Sequence, residues 1–360
     1  MSEPLLQVQD LRVHFPTEDG IVRAVDGVSY AVERGKVLGI VGESGSGKSV
    51  SSLTVMGLTR SGSARIAGSV RFEGRELLEL DTEAMRRIRG NDIAMIFQDA
   101  LSSLHPFYKI GRQLVEAIRV HHHDVSRKEA HDRSVEALRL VGIPDPARRV
   151  NSYPHEFSGG MRQRAMIAIA LVNEPKVLIA DEPTTALDVT VQAQILELLA
   201  RLKEELGMAI IIITHDLGVV AQTADEIAVM YAGRIVEQAP TLDLFAAPEH
   251  PYTWGLLRSI PRLDSPRDIA LEPIPGRPPS LIKLPTGCSF HPRCAFVREA
   301  HRKVDPTLEP LTESPSHRVA CLLDVSVRRR AWNELRAGAT PSQANAQLSE
   351  PAGAGRGSAE

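Results

Sequence analysis

No stretch of the chain approaches the ~18–20 consecutive apolar residues that a membrane-crossing helix needs. The longest apolar runs, 177–180 and 208–213, have only the length of strands. The first residues, Met1-Ser2-Glu3-Pro4, lack the basic stretch and apolar segment of a secretory signal. The sequence therefore predicts a chain that stays in the cytoplasm and meets a membrane only through a partner. Cysteine is scarce. Cys288, Cys294 and Cys321 are the only three, all in the last quarter, and an odd count in a cytosolic chain points to metal ligation rather than a disulfide framework. An excess of one charge is also missing. With 42 basic and 45 acidic residues the formal charge is −3, which excludes a generic nucleic-acid coat and an acidic-tail protein.

What remains is a globular composition, 43% hydrophobic and 24% charged over 360 residues, enough for two domains with room for a small third module. Residues 1–240 alternate strand-like and helix-like segments. The apolar run 37–41 leads through glycines into a segment from Lys48 that meets no breaker before Gly57. Further strands are expected at 93–97, 177–180 and 209–213, the last two as fully buried parallel strands. Between them Val191, Ile195, Leu198, Leu202 and Leu206 recur at helical spacing. This pattern predicts an α/β fold with a parallel sheet covered by helices. Residues 100–165 read instead as a helical insertion, with helices near 114–120 and 128–140.

The composition shifts near Pro240. Of 24 prolines, 14 lie in 240–325, a density that argues against long helices and marks a separate loop-rich module over 241–325. The tail from 326, and 337–360 above all, has little to bury and is expected to be largely disordered. No internal repeat is present.

Gly42-Glu43-Ser44-Gly45-Ser46-Gly47-Lys48-Ser49 fits G-x-x-x-x-G-K-[ST] between an expected strand and an expected helix. Glycines let backbone N–H groups turn inward around phosphate oxygens, and the helix N-terminus adds positive potential. Lys48 can reach the outer phosphates and Ser49 can ligate Mg²⁺. Asp181 and Glu182 emerge where the strand 177–180 ends, the side of such sheets on which ligands bind. Asp181 suits Mg²⁺ and Glu182 the orientation or deprotonation of an attacking water. These two motifs specify a P-loop nucleotide hydrolase and leave kinases, GTPases, helicases and motors open.

Phe157-Ser158-Gly159-Gly160-Met161-Arg162-Gln163-Arg164 resembles the signature of ATP-binding cassette (ABC) proteins and begins its Ser-Gly-Gly 23 residues before Asp181. Ser158, Gly159 and Gly160 at a helix start would make a second phosphate cradle, with Met161 beside it. Each element alone is common; their order is what carries the resemblance. Gln98 matches the family's Q-loop glutamine, which also approaches Mg²⁺. Thr185-Ala186-Leu187-Asp188 matches the D-loop, His215 the switch histidine at the γ-phosphate, and Phe15 the aromatic that stacks on adenine. The resemblance implies a cassette with a parallel core, an antiparallel β subdomain and a helical subdomain, and a head-to-tail dimer in which each chain completes the other's ATP site.

Met161-Arg162-Gln163-Arg164, the run from Pro183 to Gln192, His250-Pro251-Tyr252-Thr253 and the Gly287-Cys288 and Arg293-Cys294 pairs are similar to the ATP-binding subunits of oligopeptide and dipeptide permeases, over about residues 5–325. Phe157 and Met161 stand where the general signature has Leu and Gln, and 99–106 varies a familiar stretch. The resemblance implies an ATP-hydrolysing, membrane-associated subunit. Its partners would be two transmembrane permease subunits, a second homologous ATPase and an extracytoplasmic peptide-binding protein. Relatives that move nickel or sugars, and soluble cassette ATPases acting on nucleic acid or ribosomes, are the alternatives; the long coiled-coil insertions or paired cassettes of the soluble group are missing.

In the C-terminal module the spacing is Cys288-x5-Cys294-x6-His301-x19-Cys321. Relatives carry a fourth cysteine at the position of His301, and some hold an iron–sulfur cluster. The four residues are therefore expected to bind a [4Fe–4S] cluster or Zn²⁺, with His317 an alternative fourth ligand. Six basic and five acidic residues between 280 and 325 are too balanced to follow phosphates, so no nucleic-acid partner is expected. The runs 121–123 (His) and 328–330 (Arg) read as solvated, with contact to lipid headgroups as the alternative for the arginines.

Overall fold

The computed structural model describes residues 3–60, 62–98, 103–185, 188–259 and 273–349. Its centre is a sheet of eight strands in the order β11-β12-β10-β9-β3-β8-β7-β6. The strands β6 (Ile93–Ile96), β7 (Val177–Asp181), β8 (Ala209–Thr214), β3 (Val37–Val41) and β9 (Glu226–Tyr231) run parallel. Every residue of β3, β6, β7 and β8 is buried, so both faces are covered and the strands read as continuous apolar runs. The expected strands thus form, to within a residue at their ends. Phe97, expected to close β6, lies outside it and is exposed.

A second, antiparallel sheet takes the order β2-β1-β4-β5, from β1 (Leu6–Thr17), β2 (Gly20–Val32), β4 (Arg65–Phe72) and β5 (Arg75–Glu76). It shares a core with the parallel sheet, in which Leu6, Leu11 and Val25 meet Ile40, Ile179 and Ile213. The expected helical insertion is present. Helices Ile110–Arg119 and Arg127–Leu140 pack against Gly159–Leu171, and together they cover the β6 edge of the sheet.

Among the described residues the loop-rich region expected over 241–325 shares a core with the rest of the chain. β10 (Arg234–Pro240), β12 (Arg318–Val319) and β11 (Glu309–Pro310) extend the central sheet, and Phe290, Phe296 and Leu323 pack with Val41, Val229 and Tyr231. The tail is not disordered through 326–349. Helix Val325–Arg336 buries Ala331, Trp332 and Leu335 in that same core, and helix Pro341–Ser349 follows and packs against it. A single aromatic and two aliphatics at helical spacing suffice to dock a short helix, which a composition average conceals. Residues 350–360 of the expected tail lie outside the described residues, as do 99–102 of the varied stretch and Ala186 and Leu187 of the D-loop match.

The arginine run is not solvated as a unit. Arg328 is 4% exposed and lies 3.1 Å from the buried Glu249, while Arg329 bridges Glu249 and Glu313.

Candidate nucleotide site

Sheet order assembles the site. β3, β8 and β7 are neighbours and β6 flanks β7. Their C-terminal ends release, side by side, the loop Gly42–Lys48, then His215, then Asp181 and Glu182, then Gln98. This is the edge where an open parallel sheet binds its ligand.

The loop is held by close packing. A Cβ on Gly42 would lie 2.1 Å from the carbonyl oxygen of Met230, and one on Gly47 2.1 Å from that of Ala24. Gly47 has φ +102° and caps helix Lys48–Val55, whose first N–H groups therefore open into the loop. Lys48 is 5% exposed, and its Nζ donates to the carbonyls of Gly42 at 2.7 Å and Glu43 at 3.0 Å. Burial pushes its ammonium down, opposed by the charges of Glu182, Asp181 and Glu43. Ser44 and Gly45 are exposed at the loop's tip, and the buried hydroxyl of Ser46 has no partner among the described residues.

Asp181 is buried at the end of β7. Burial raises its carboxyl, with a hydrogen bond from Ser49 acting the other way, and its Oδ1 has no hydrogen-bond partner among the described residues. A buried, unpartnered carboxylate oxygen beside a serine hydroxyl is a donor set suited to a hard cation such as Mg²⁺. Glu182 follows in a left-handed conformation, φ +48°, its N–H donating to Ile213 O at 2.8 Å. That turn swings the carboxylate out of the strand. Its Oε2 accepts from Gln98 Nε2 at 2.8 Å and Thr185 Oγ1 at 2.9 Å, and Oε1 stands 3.2 Å from His215 Nδ1. Burial tends to raise the Glu182 carboxyl, but the bonds from Thr185 and His215 and the charges of His215 and Lys48 outweigh it and hold it below the ordinary carboxylate range. Glu182 is therefore ionised at neutral pH and already oriented by three side chains.

Ser158, Gly159, Gly160 and Met161 begin helix Gly159–Leu171, and Ser158 Oγ accepts from Met161 N–H at 3.3 Å. Ser158 and Gly159 are exposed, and the space around Gly159 is open. Gln163, not singled out from the sequence, is 5% exposed and donates to Pro183 O at 2.5 Å, tying the signature helix to the loop after Glu182. Its place in the Met161–Arg164 run was the available signal. Asp188 caps helix Val189–Leu206 by accepting from Val191 N–H at 2.9 Å. Phe15 pairs with Val22 in β1–β2 and packs partly buried against the shared core. The structure thus brings Gln98, Glu182 and His215 into direct contact. It sets Ser158–Met161 and Phe15 on separate elements, the helical subdomain and the antiparallel sheet.

The expected metal centre gains no support. Among the described residues no group of three or more His, Cys, Asp or Glu side chains is arranged to hold a metal ion. The donors explain why. His301 Nδ1 accepts from Arg298 N–H at 3.0 Å, so the neutral ring carries its proton on Nε2 and offers no lone pair there. His317 Nε2 is engaged by the buried Glu237 at 2.7 Å. That leaves three thiols in one core, each raised by burial, Cys294 to about 12 and Cys321 to about 11.

The ABC transporter family model matches residues 25–185, and the model for the oligopeptide/dipeptide transporter C-terminal region matches 236–300. The chain is 54% identical over 89% of its length to a probable peptide ABC transporter ATP-binding protein of Sinorhizobium fredii, covering 95% of that protein. It is 50% identical over 88% of its length to the dipeptide transport ATP-binding protein of Haemophilus influenzae, covering 94% of it. Among solved structures, a dimeric ATP-binding cassette in a post-hydrolysis state with ADP and Pi matches at TM-score 0.59 and 26% identity, over 66% of this chain and 98% of that one.

Proposed function

The chain belongs to the ABC transporter family, among the ATP-binding subunits of peptide importers, and on that premise we propose how its residues divide the work. The observation that carries the proposal is the Gln98–Glu182–His215 contact at the sheet edge beside Lys48. The loop 42–49 binds the phosphates of ATP, with Lys48 exchanging its two carbonyl acceptors for phosphate oxygens. Phe15 provides the face for the adenine. Mg²⁺ would be held by Ser49, Asp181 and Gln98, and when bound it neutralises charge developing on the phosphates. Glu182 takes the proton of the attacking water, with Gln98 and Thr185 fixing its Oε2. His215 faces the γ-phosphate.

Ser158–Met161 recognises ATP held by a second cassette. Its exposed, open start supports this, because a phosphate can approach it from outside the chain. Asp188 lies between the two sites of such a dimer. Among the described residues no helix is long and apolar enough to cross a membrane. By likeness to the peptide-importer subunits it resembles, the chain works at the cytoplasmic face through two permease subunits, beside a second, similar ATPase and downstream of a peptide-binding protein. Di- and oligopeptides are the cargo that the matched C-terminal family and the named relatives support. The test of the composite site is light scattering of Glu182→Gln with ATP. A dimer that forms with ATP and dissociates with ADP is expected, and a monomer under both conditions would contradict it.

A further inference from the structure

The phosphate loop is gripped from outside the cassette core. Glu43 is the second residue of the loop, and three contacts from the C-terminal third converge on it. Its N–H donates to Tyr252 Oη at 2.9 Å. Its carboxylate takes a two-pronged bond from Arg293, with Nη1 to Oε2 at 2.6 Å and Nη2 to Oε1 at 3.0 Å. Arg293 itself cannot shift: Nε donates to Pro275 O at 2.9 Å, Nη2 also reaches Ile274 O at 3.3 Å, and its guanidinium carbon lies 5.8 Å from the centre of the Tyr231 ring. The Arg293 side chain is 4% exposed and that of Glu43 29%. A pair this confined, with every prong satisfied, is geometry that one amide or ammonium substitute cannot reproduce.

We propose that Arg293 and Tyr252 are positioning residues for ATP, acting through Glu43. The proposal rests on reading 42–49 as the nucleotide loop. The physical route is short. Lys48 Nζ is held by the carbonyls of Gly42 and Glu43. The residue that Arg293 and Tyr252 fix therefore also carries one of the acceptors that park the phosphate-binding ammonium. Gly42 and Gly47 are already walled by the backbone of Met230 and Ala24. Glu43 lies at the half-buried shoulder between them, just before the exposed Ser44 and Gly45, where the chain would otherwise be free to move. Ordering that shoulder beforehand removes an entropic cost from binding and leaves the chemical step alone. The C-terminal third is thereby part of the ATP site.

The experiment measures ATP affinity of the full chain by calorimetry for Glu43→Gln, Tyr252→Phe, Arg293→Lys and the double variant Glu43→Gln/Arg293→Lys. Tyr252→Phe loses only a hydroxyl, and it decides the matter should the arginine variant not fold. Each single variant is expected to raise Kd about tenfold. The double variant should be no weaker than the worse single, because both changes break one contact. In the assembled transporter, Tyr252→Phe and Arg293→Lys should raise KM for ATP by a similar factor and keep kcat within about twofold. Folded variants with parental Kd, or a loss in kcat at unchanged KM, overturn the positioning role. Lys48→Ala runs alongside: if it binds ATP as well as the parent, the nucleotide-loop reading itself fails and the proposal with it.

Discussion

Replacing Glu182 by Gln isolates its basicity from its packing, because the structure has a place for the amide. The carbonyl can take over Oε2, keeping the donors Gln98 Nε2 and Thr185 Oγ1. The NH2 then faces His215 Nδ1, which accepts when the ring proton sits on Nε2. No buried group loses its partner, so the folded state should be barely affected and the thermal midpoint should move by no more than about 2 °C. What disappears is the proton acceptor for water, worth about 10²- to 10⁴-fold, or ~2.7–5.4 kcal/mol at ~1.36 kcal/mol per decade. The assay is steady-state phosphate release by the assembled transporter at saturating ATP, with ATP affinity measured separately on the isolated chain. The expected result is a kcat at least about a hundredfold lower at parental affinity. A variant that turns over within about tenfold of the parent would falsify the assignment of Glu182 as base.

Other consequences follow from separate parts of the structure. Gly47→Ala should abolish ATP binding by the folded chain, since φ is +102° and the new methyl would sit 2.1 Å from Ala24 O; parental affinity would refute the loop geometry. Trp332→Ala should cost ~3–5 kcal/mol in urea unfolding, because the ring is 5% exposed in the core shared with Tyr231 and Val41; an unchanged midpoint would mean the tail helix is not part of the fold. The acid limb of kcat should fall below pH 4.5, because the folded Glu182 carboxyl lies below its ordinary value and keeps its charge as the pH drops; an inflection above pH 4.5 contradicts the hydrogen bonds assigned to it. His301→Ala should leave the iron and zinc content of anaerobically purified protein unchanged, since Nε2 carries the ring proton; loss of metal in this variant would make His301 a ligand after all.

The proposed nucleotide site could be read from the sequence because its chemistry is local. Gly42, Gly47 and Lys48 act through backbone shape and one charge within a single turn, and Asp181 and Glu182 follow directly from a buried strand. The neighbours Gln98 and His215 became a site only through sheet order, which pairs β3 with β8 and β8 with β7. The contacts of the C-terminal third were not legible. Glu43 and Arg293 are 250 residues apart, and nothing in either local sequence indicates the other. The docked helix at 325–336 depends on Trp332 and Leu335, two residues that a low-complexity composition outweighs. Cysteine spacing suggested a metal site, yet spacing cannot reveal that Arg298 N–H engages His301 Nδ1 or that Glu237 holds His317.

The central claim, that this chain spends ATP to move peptides through permease subunits, is tested most directly by reconstitution. The chain and the proposed partners, a second ATPase, two permease subunits and a binding protein, are placed in liposomes with the ATPases facing the ATP compartment, and uptake of a labelled peptide is followed. The account predicts transport that requires ATP and is abolished by Lys48→Ala in this chain. Peptide uptake unchanged by Lys48→Ala, or ATP hydrolysis indifferent to the permease subunits and peptide-loaded binding protein, would contradict it.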